Sequence, residues 1–550
     1  MTRNPTLTKA LILTAVVLAL SGPASHSTET ILVRMESASL TLLPPELRQG
    51  IRAVAPLTTA FLAVVPSDLA FRLAETGAGI EILDSSPGGK AYFLVRVDGP
   101  GDWPDLNRSG RTIRLDERTA LFWSGNREAR EILPPRFEIA RVFLDVSLPL
   151  AALEAPAALA PAAPWPVPAA DPVISQLAAQ VSKSRLTTLI GDLENFQTRY
   201  TSTTACESAG TYLHNSFSGL GLPVEYDPFS FSNNRYATRN IVATLRGRTA
   251  PDREVIVCGH YDSTSNQASS RAPGADDNGS GTAAVVEIAR VLAGTAFDFT
   301  IKFICFSAEE WGLYGSKHYA QEAQAAGAKI IGVINMDMIA FPDRWPWQMD
   351  VVRNSASAGL ADRFVAAAAE YAGLTAKIVA VSSWPYSDHS PFWNAGYSAL
   401  CAIENESPTS PYYHKTTDTL GTLTMDYALL ITRAALATAA GLAQPVSSPS
   451  SPSGLVVRSQ INRSLFARVK TVGLRWEANR DAVVGYYIHR ATVKGGPYER
   501  ITPAPLATTE FTDRFLDAAV TYYYVVTARD GQGRESGLSV EVVDSEATWK

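Results

Sequence analysis

Over residues 173–444 the sequence alternates two apolar patterns, and that alternation limits the fold more than any other feature. Apolar residues recurring every three to four positions predict helices over 174–196, 207–220, 282–292, 360–371 and 427–442. Between them stand short, near-continuous apolar runs at 241–245, 255–258, 300–306, 332–336 and 399–403. A strand that is apolar on both sides must be buried on both faces. The expected fold class is therefore α/β: an α/β/α sandwich whose helices cover a mixed, mostly parallel sheet. Ligands of such sheets sit beyond the carboxyl ends of the strands. The titratable residues of this region gather there.

The run 255–258 opens into Gly259-His260-Tyr261-Asp262. A carboxylate two residues after a histidine can accept a hydrogen bond from its second ring nitrogen and so fix the tautomer. Residues 273–281, Pro-Gly-Ala-Asp-Asp-Asn-Gly-Ser-Gly, form a glycine-rich turn opening a helix. Asp276 and Asp277 in that turn suit two jobs: bridging two cations, or complementing the positive end of the helix with Asn or Ser as its cap. Glu309 and Glu310 end the run 300–306, and Asp337 ends 332–336. Charges so close to apolar runs must be paired, coordinated or at the sheet edge. Consecutive residues at a strand end point in different directions, so one glutamate can hold a metal while its neighbour faces a water. His414 completes the set within Tyr412-Tyr413-His414-Lys415-Thr416-Thr417-Asp418-Thr419. Two histidines and three acids suit two borderline cations sharing a carboxylate. The layout is that of a metallohydrolase.

At 550 residues the chain calls for two to four domains. Residues 1–25 read as a signal peptide, with Arg3 and Lys9 before an apolar stretch and small residues after it. A secreted or periplasmic protein is expected. Residues 26–148 carry short β-like runs (31–35, 92–97, 137–142) and an amphipathic stretch at 69–74. That α+β region has no cluster of histidines or paired acids, and reads as an accessory domain or a pro-segment. Residues 149–172 are an Ala/Pro-rich linker and 445–453 a Ser/Pro-rich one. Residues 454–550 read as an all-β sandwich, with Trp476 inward and Tyr522 and Tyr524 alternating. Four cysteines are too few for a disulfide framework, and Cys258, Cys305 and Cys401 read as small buried hydrophobes. A net charge of −6 without long like-charge runs argues against nucleic acid or an anionic membrane as partner. No segment after the leader is long and apolar enough to span a bilayer.

In order and local sequence the set resembles the dizinc exopeptidase family of secreted bacterial leucyl aminopeptidases and glutamate carboxypeptidases, with the glutaminyl cyclases as mono-zinc relatives. Asp-Asp-Asn-Gly-Ser-Gly-Thr and Tyr-His-Lys-Thr-Thr-Asp-Thr carry the likeness, which spans roughly 176–442. It implies two Zn2+ ions bridged by Asp277, with Glu310 and His414 completing one site and His260 and Asp337 the other. It also implies Glu309 as general base and later acid, Asp262 as the residue orienting His260, and Tyr413 as a donor to the oxyanion. The implied activity is hydrolysis of the N-terminal peptide bond, with peptide or protein N-termini as substrate.

A dizinc carboxypeptidase is the alternative, for which Arg271, Arg344, Arg353 and Lys415 are the nearby cations. An inactive binding protein is a third reading. Cyclisation is disfavoured because His260 and Asp337 are both retained. His389 reads as structural, and His214, His318 and His489 lack an acidic context in the sequence. Trp345, Trp347 and Trp384 read as an apolar specificity pocket or as core. The C-terminal sandwich resembles fibronectin type III domains, with surface or polymer contact as the expectation.

Overall fold

The computed structural model describes residues 29–545, except 58, 126, 145–170, 381–383, 406–409, 446–448, 464–467, 480–482 and 532. Residues 1–25, expected to be a signal peptide, and nearly all of the expected Ala/Pro-rich linker fall outside the described residues. Where the linker ends, Asp171 already caps the helix Pro172–Ala179 by accepting from the backbone N–H of Val173. The chain forms two compact units that meet between Gln444 and Pro445.

The larger unit is built on an eight-stranded mixed sheet. From one edge the order is Thr375–Ala380, Gln348–Arg353, Ala399–Ile403, Lys329–Met336, Ala250–His260, Phe299–Phe306, Tyr236–Leu245 and Val224–Phe231. The four middle strands run parallel, so His260 and the residues after Phe306 and Met336 emerge side by side at one end. Four of the five predicted apolar runs lie in these strands, and the fifth, 241–245, lies in the antiparallel Tyr236–Leu245 beside them. The two edge strands, Val224–Phe231 and Thr375–Ala380, and Gln348–Arg353 beside the second of them carry polar or charged residues within their length, and no continuous apolar run marks them.

Alternation decides what each sheet face meets. Val255, Val257, Phe303 and Ile334 face one core with the helices Gly281–Leu292 and Met425–Ala443. Ile256, Cys258, Ile304 and Val333 face a second core. The predicted helix over 174–196 is two, Pro172–Ala179 and Lys183–Glu194, the second capped by Ser182.

The second face is covered in an unexpected way. The chain's own helices there, Tyr314–Ala325 and His389–Asn394, are short, and residues from 32 to 142 complete the layer. That N-terminal region consists of two antiparallel four-stranded sheets. One has the order Arg52–Pro56, Ala60–Pro66, Thr30–Glu36, Ile80–Asp84, and the other Arg111–Arg114, Thr119–Trp123, Tyr92–Arg96, Ile139–Val142. Each keeps one face for its own helix, Leu69 and Leu73 against Phe61 in the first, Leu106 against Phe93 in the second. The opposite faces, through Leu62, Leu94, Leu121 and Ala140, share a core with Phe306, Phe392 and Trp393.

The smaller unit is all β. A three-stranded sheet, Val456–Arg463, Arg468–Arg475 and Glu510–Asp517, stands with a four-stranded one, Glu499–Arg500, Val483–Ala491, Tyr523–Asp530 and Val542–Val543. Leu474, Trp476, Tyr486, Tyr524 and Val526 form its core. All four cysteines are free and buried. No helix among the described residues is long and apolar enough to cross a membrane.

Candidate metal centre

Three parallel strands and two loops bring six of the predicted residues together. His260 ends the strand Ala250–His260; Glu309 and Glu310 follow Phe299–Phe306; Asp337 follows Lys329–Met336. Asp277 sits in the turn before the helix Gly281–Leu292, and His414 in the loop before Met425–Ala443. The turns are tight enough to force positive φ on non-glycine residues beside the donors: Ala308 at 57°, Met338 at 48° and His414 itself at 52°. Such backbone costs roughly 1–3 kcal/mol per residue and persists only where the surroundings hold it. At the Asp277 turn the strain falls on Gly274, whose φ is 51° and where a Cβ would lie 2.4 Å from the Asp277 carbonyl oxygen. Only glycine fits there.

The donors fall into two triads, His260 with Glu309 and Asp337, and Asp277 with Glu310 and His414, the donor atoms of each lying within 4.8 Å of one another. Asp277 reaches both. Its Oδ1 is 3.4 Å from His260 Nε2 and its Oδ2 is 2.9 Å from His414 Nε2. Asp337 Oδ1 is 3.4 Å from His260 Nε2, and Glu310 Oε2 is 3.2 Å from His414 Nε2. Glu309 Oε2 stands further back, 3.9 Å from His260 Nε2. The choice between the paired aspartates follows from the loop: Asp276 turns away, its Oδ1 accepting from the Ala340 N–H at 3.0 Å. Neither aspartate side chain caps the helix, and the carboxylate of Asp418 accepts from the backbone N–H of both.

Packing four carboxylates and two imidazoles in a dry site leaves an excess of negative charge, and the pKa directions record it. Burial holds Glu309 and Glu310 above the usual carboxylate range. Burial alone would lower His414, yet Glu310 and Asp277 outweigh it and push the imidazole up to about 10. His260 is likewise raised, Glu309 and Asp337 overcoming burial. Burial would raise Asp277, but hydrogen bonds to the two histidines pull it below the usual range.

The supporting residues differ in part from expectation. His260 Nδ1 bonds the carbonyl oxygen of Asp262 at 3.1 Å, while the Asp262 carboxylate stands 3.6 Å away. That carboxylate accepts from the backbone N–H of Glu309 and Glu310 and from the Thr201 hydroxyl, so it places both glutamates as well as facing the histidine. Ser387 donates to Asp337 Oδ2 at 2.5 Å and is itself held by Asn335. Arg199, fully buried, donates to the carbonyls of Tyr261, Pro273 and Gly274 and fixes the glycine-rich turn. No sequence pattern marks Arg199.

Tyr413 lines the cavity in front of the donors, its ring stacked on His414 at 3.7 Å. His389 is buried between Trp384 and Trp393, and burial pulls it down to about 3. His318 does have an acidic context, Asp227 at 3.0 Å and Glu322 at 3.5 Å, supplied by a neighbouring strand and its own helix. Of the three tryptophans only Trp384 lines the cavity; Trp345 is exposed and Trp347 packs on Tyr427. Arg271, Arg344, Arg353 and Lys415 do not line it.

The N-terminal region, which carries no histidine cluster, nevertheless reaches the site. Arg130, Glu138 and Ile139 line the cavity, and the Pro135 carbonyl accepts from His414 Nδ1.

The "Probable leucine aminopeptidase" of Trichophyton verrucosum is 32% identical over 271 residues, which make up 47% of this chain and 70% of that relative. Residues 240–439, which hold every donor above, match peptidase family M28. This chain belongs to that family. The enzyme class expected from the sequence, a zinc metalloexopeptidase, is the class of its relatives. A "Probable zinc metalloprotease" of Pyricularia oryzae is 44% identical over 103 residues, 18% of this chain and 20% of that relative. The solved structure of the Legionella pneumophila LapA aminopeptidase is 16% identical, covering 76% of this chain and all of that one at a TM-score of 0.49.

Membership implies zinc, and the residues present fit it. Among the described residues, Glu310 Oε1 and Asp337 Oδ1 are buried without a hydrogen-bond donor, an arrangement that is costly unless a cation faces them. Imidazole nitrogen with carboxylate oxygen is a zinc donor set.

Proposed function

We propose that the chain is a secreted aminopeptidase that cleaves the N-terminal bond of peptides at a centre of two zinc ions. The observation carrying this reading is the reach of Asp277 to both triads, which lets one carboxylate serve two cations. His260 and Asp337 would hold one ion, Glu310 and His414 the other. Zinc, when bound, supplies the positive charge that polarises a scissile carbonyl and eases deprotonation of water.

The protein's own groups do the rest. Glu309 is the donor standing furthest from its histidine partner, which leaves its carboxylate for proton transfer. It takes a proton from the attacking water and returns it to the departing amine. Burial raises this carboxyl, and positive charge beside it favours its ionised form. Tyr413 donates its hydroxyl proton in a hydrogen bond to the oxyanion, and Asp262 holds His260 and the two glutamates in register. Aminopeptidase is favoured over carboxypeptidase because none of the four cations named from the sequence for a substrate carboxylate lines the cavity, and the arginine that does, Arg130, faces Glu310. The smaller unit would act as a fibronectin-like module making surface or polymer contacts.

Leucine release from a leucyl anilide tests the reading, measured before chelation, after it, and after zinc is restored. Activity that vanishes and returns supports it. Release of a C-terminal residue from an N-terminally blocked peptide, with no leucyl anilide turnover, would replace it with the carboxypeptidase.

A further inference from the structure

Away from the catalytic centre, one further cluster among the described residues brings histidine and carboxylate donor atoms within 4.8 Å of one another: Asp227, His318 and Glu322. Asp227 lies in the edge strand Val224–Phe231, and His318 and Glu322 lie in the helix Tyr314–Ala325. Residues four apart share one face of a helix, and residues two apart share one face of a strand. His318 and Glu322 therefore leave the helix together, toward the strand face that carries Asp227 and Phe229. His318 Nε2 stands 3.0 Å from Asp227 Oδ1 and 3.5 Å from Glu322 Oε1. Its ring stacks on Phe229 with centroids 5.3 Å apart, which fixes the direction of that nitrogen.

An ion pair between His318 and Asp227 is the plain reading, and two features go beyond it. The first is convergence: a ring nitrogen carries one N–H, yet two carboxylates meet at the same nitrogen. Their spacing is that of metal donors, since zinc bonds of about 2.0–2.2 Å in a tetrahedron set neighbouring donors roughly 3.3–3.6 Å apart. In the catalytic triads the same kinds of atom stand 2.9–3.4 Å apart. The second feature is the support behind Asp227. Its Oδ2 accepts from Asn240 Nδ2 at 2.8 Å, and the fully buried Asn240 also donates to the Gly315 carbonyl at 3.0 Å and accepts from the Ser307 N–H at 3.1 Å. Carboxylates that hold metals are in turn hydrogen-bonded from behind. Asn240 thus anchors Asp227 to the start of the helix that carries the other two donors.

We infer that Asp227, His318 and Glu322 form a further site for a divalent transition-metal ion such as zinc, separate from the catalytic centre. One imidazole and two carboxylates suit a borderline cation. Asp227 and His318 are 15% and 25% exposed and Glu322 65%, so this site opens to solvent where the catalytic donors are buried. Ordering an exposed glutamate costs side-chain entropy, which makes this the weaker site. Stoichiometric zinc fills the catalytic centre, and zinc in excess fills this one. The work of the ion is mechanical. Val224–Phe231 has a sheet neighbour on one side only, and an ion shared by its Asp227 and the helix pins that edge to the layer covering it. Through Asn240 and Ser307 the same pin reaches the strand end that presents Glu309, two residues on.

The test uses the full chain at rising free zinc held by a metal buffer, comparing the native protein with Glu322→Gln and His318→Gln. Glu322 is mostly exposed, so its replacement leaves the packing of the fold intact. Bound zinc, by equilibrium dialysis, and the midpoint of thermal unfolding are followed together. The native protein is expected to bind one ion more than either variant, or to bind that ion at least about tenfold more tightly. Its midpoint is expected to go on rising with zinc after the variants have levelled off, because an ion that binds the folded chain stabilises it by mass action. Equal binding curves and equal midpoints for native and variant proteins overturn the site and leave His318 and Asp227 as an ion pair. The count is a difference between proteins, so it decides this site whether the catalytic centre takes two ions, one or none.

Discussion

The two halves of the metal centre are alike in donors and unlike in what holds them. His260 and Asp337 are fixed from within the catalytic domain, by Asp262, Ser387 and Asn335. Glu310 and His414 lean on the N-terminal region, through Arg130 and the Pro135 carbonyl. Groups behind a ligand set its orientation and basicity, and typically change metal affinity ten- to a hundredfold when lost. One half is therefore held from within the catalytic domain, while the other is coupled to a part of the chain far upstream of every donor.

The largest effect is expected where the halves meet. Asp277→Ala removes the carboxylate that reaches both triads, so zinc content should fall in both halves together and leucyl anilide turnover should drop to background. Loss from one half only would break the idea of a shared donor. Next comes Glu309→Gln, which should keep both metals, as read by zinc analysis after gel filtration, while kcat falls about 10²–10⁴-fold. A variant with near-native turnover would remove Glu309 from the proton-transfer role.

Ser387→Ala sharpens the asymmetry. Asp337 loses its hydroxyl donor, so the His260 half should bind zinc about ten- to a hundredfold more weakly, with the His414 half unchanged in a competitive titration.

The smallest and most graded effect is that of pH. Without metal the His414 imidazole is pushed up to about 10 and is protonated at neutrality. Zinc takes only the neutral ring, so binding must release that proton and should strengthen as pH rises toward about 10, by up to tenfold per unit. Zinc dissociation constants at pH 6.5 and 8 check the direction, and an affinity that weakens as pH rises would contradict it.

How much of this was legible beforehand follows from where each signal sits. The middle strands were readable because burial on both faces leaves continuous apolar runs. The edge strand Val224–Phe231 was not, since Glu225, Asp227 and Ser230 break up its apolar residues. The donors stood out because charge beside an apolar run has few excuses. Asp277 over Asp276 rested on resemblance alone, and the loop geometry supplies the physical reason, the Ala340 N–H that holds Asp276 away. The role of Asp262 was half legible: proximity to His260 is local, but its grip on the Glu309 and Glu310 amides spans 47 and 48 residues. Least legible was the N-terminal wall. Pro135 contributes a backbone oxygen to a histidine 279 residues away, and no side-chain pattern can announce that.

The account stands most directly on a zinc titration of the chelated protein, following bound metal and leucine release in the same sample. Two ions per chain, with full activity reached only when both have bound, is the predicted result. Saturation at one ion, or two bound ions with no leucine released, would contradict it.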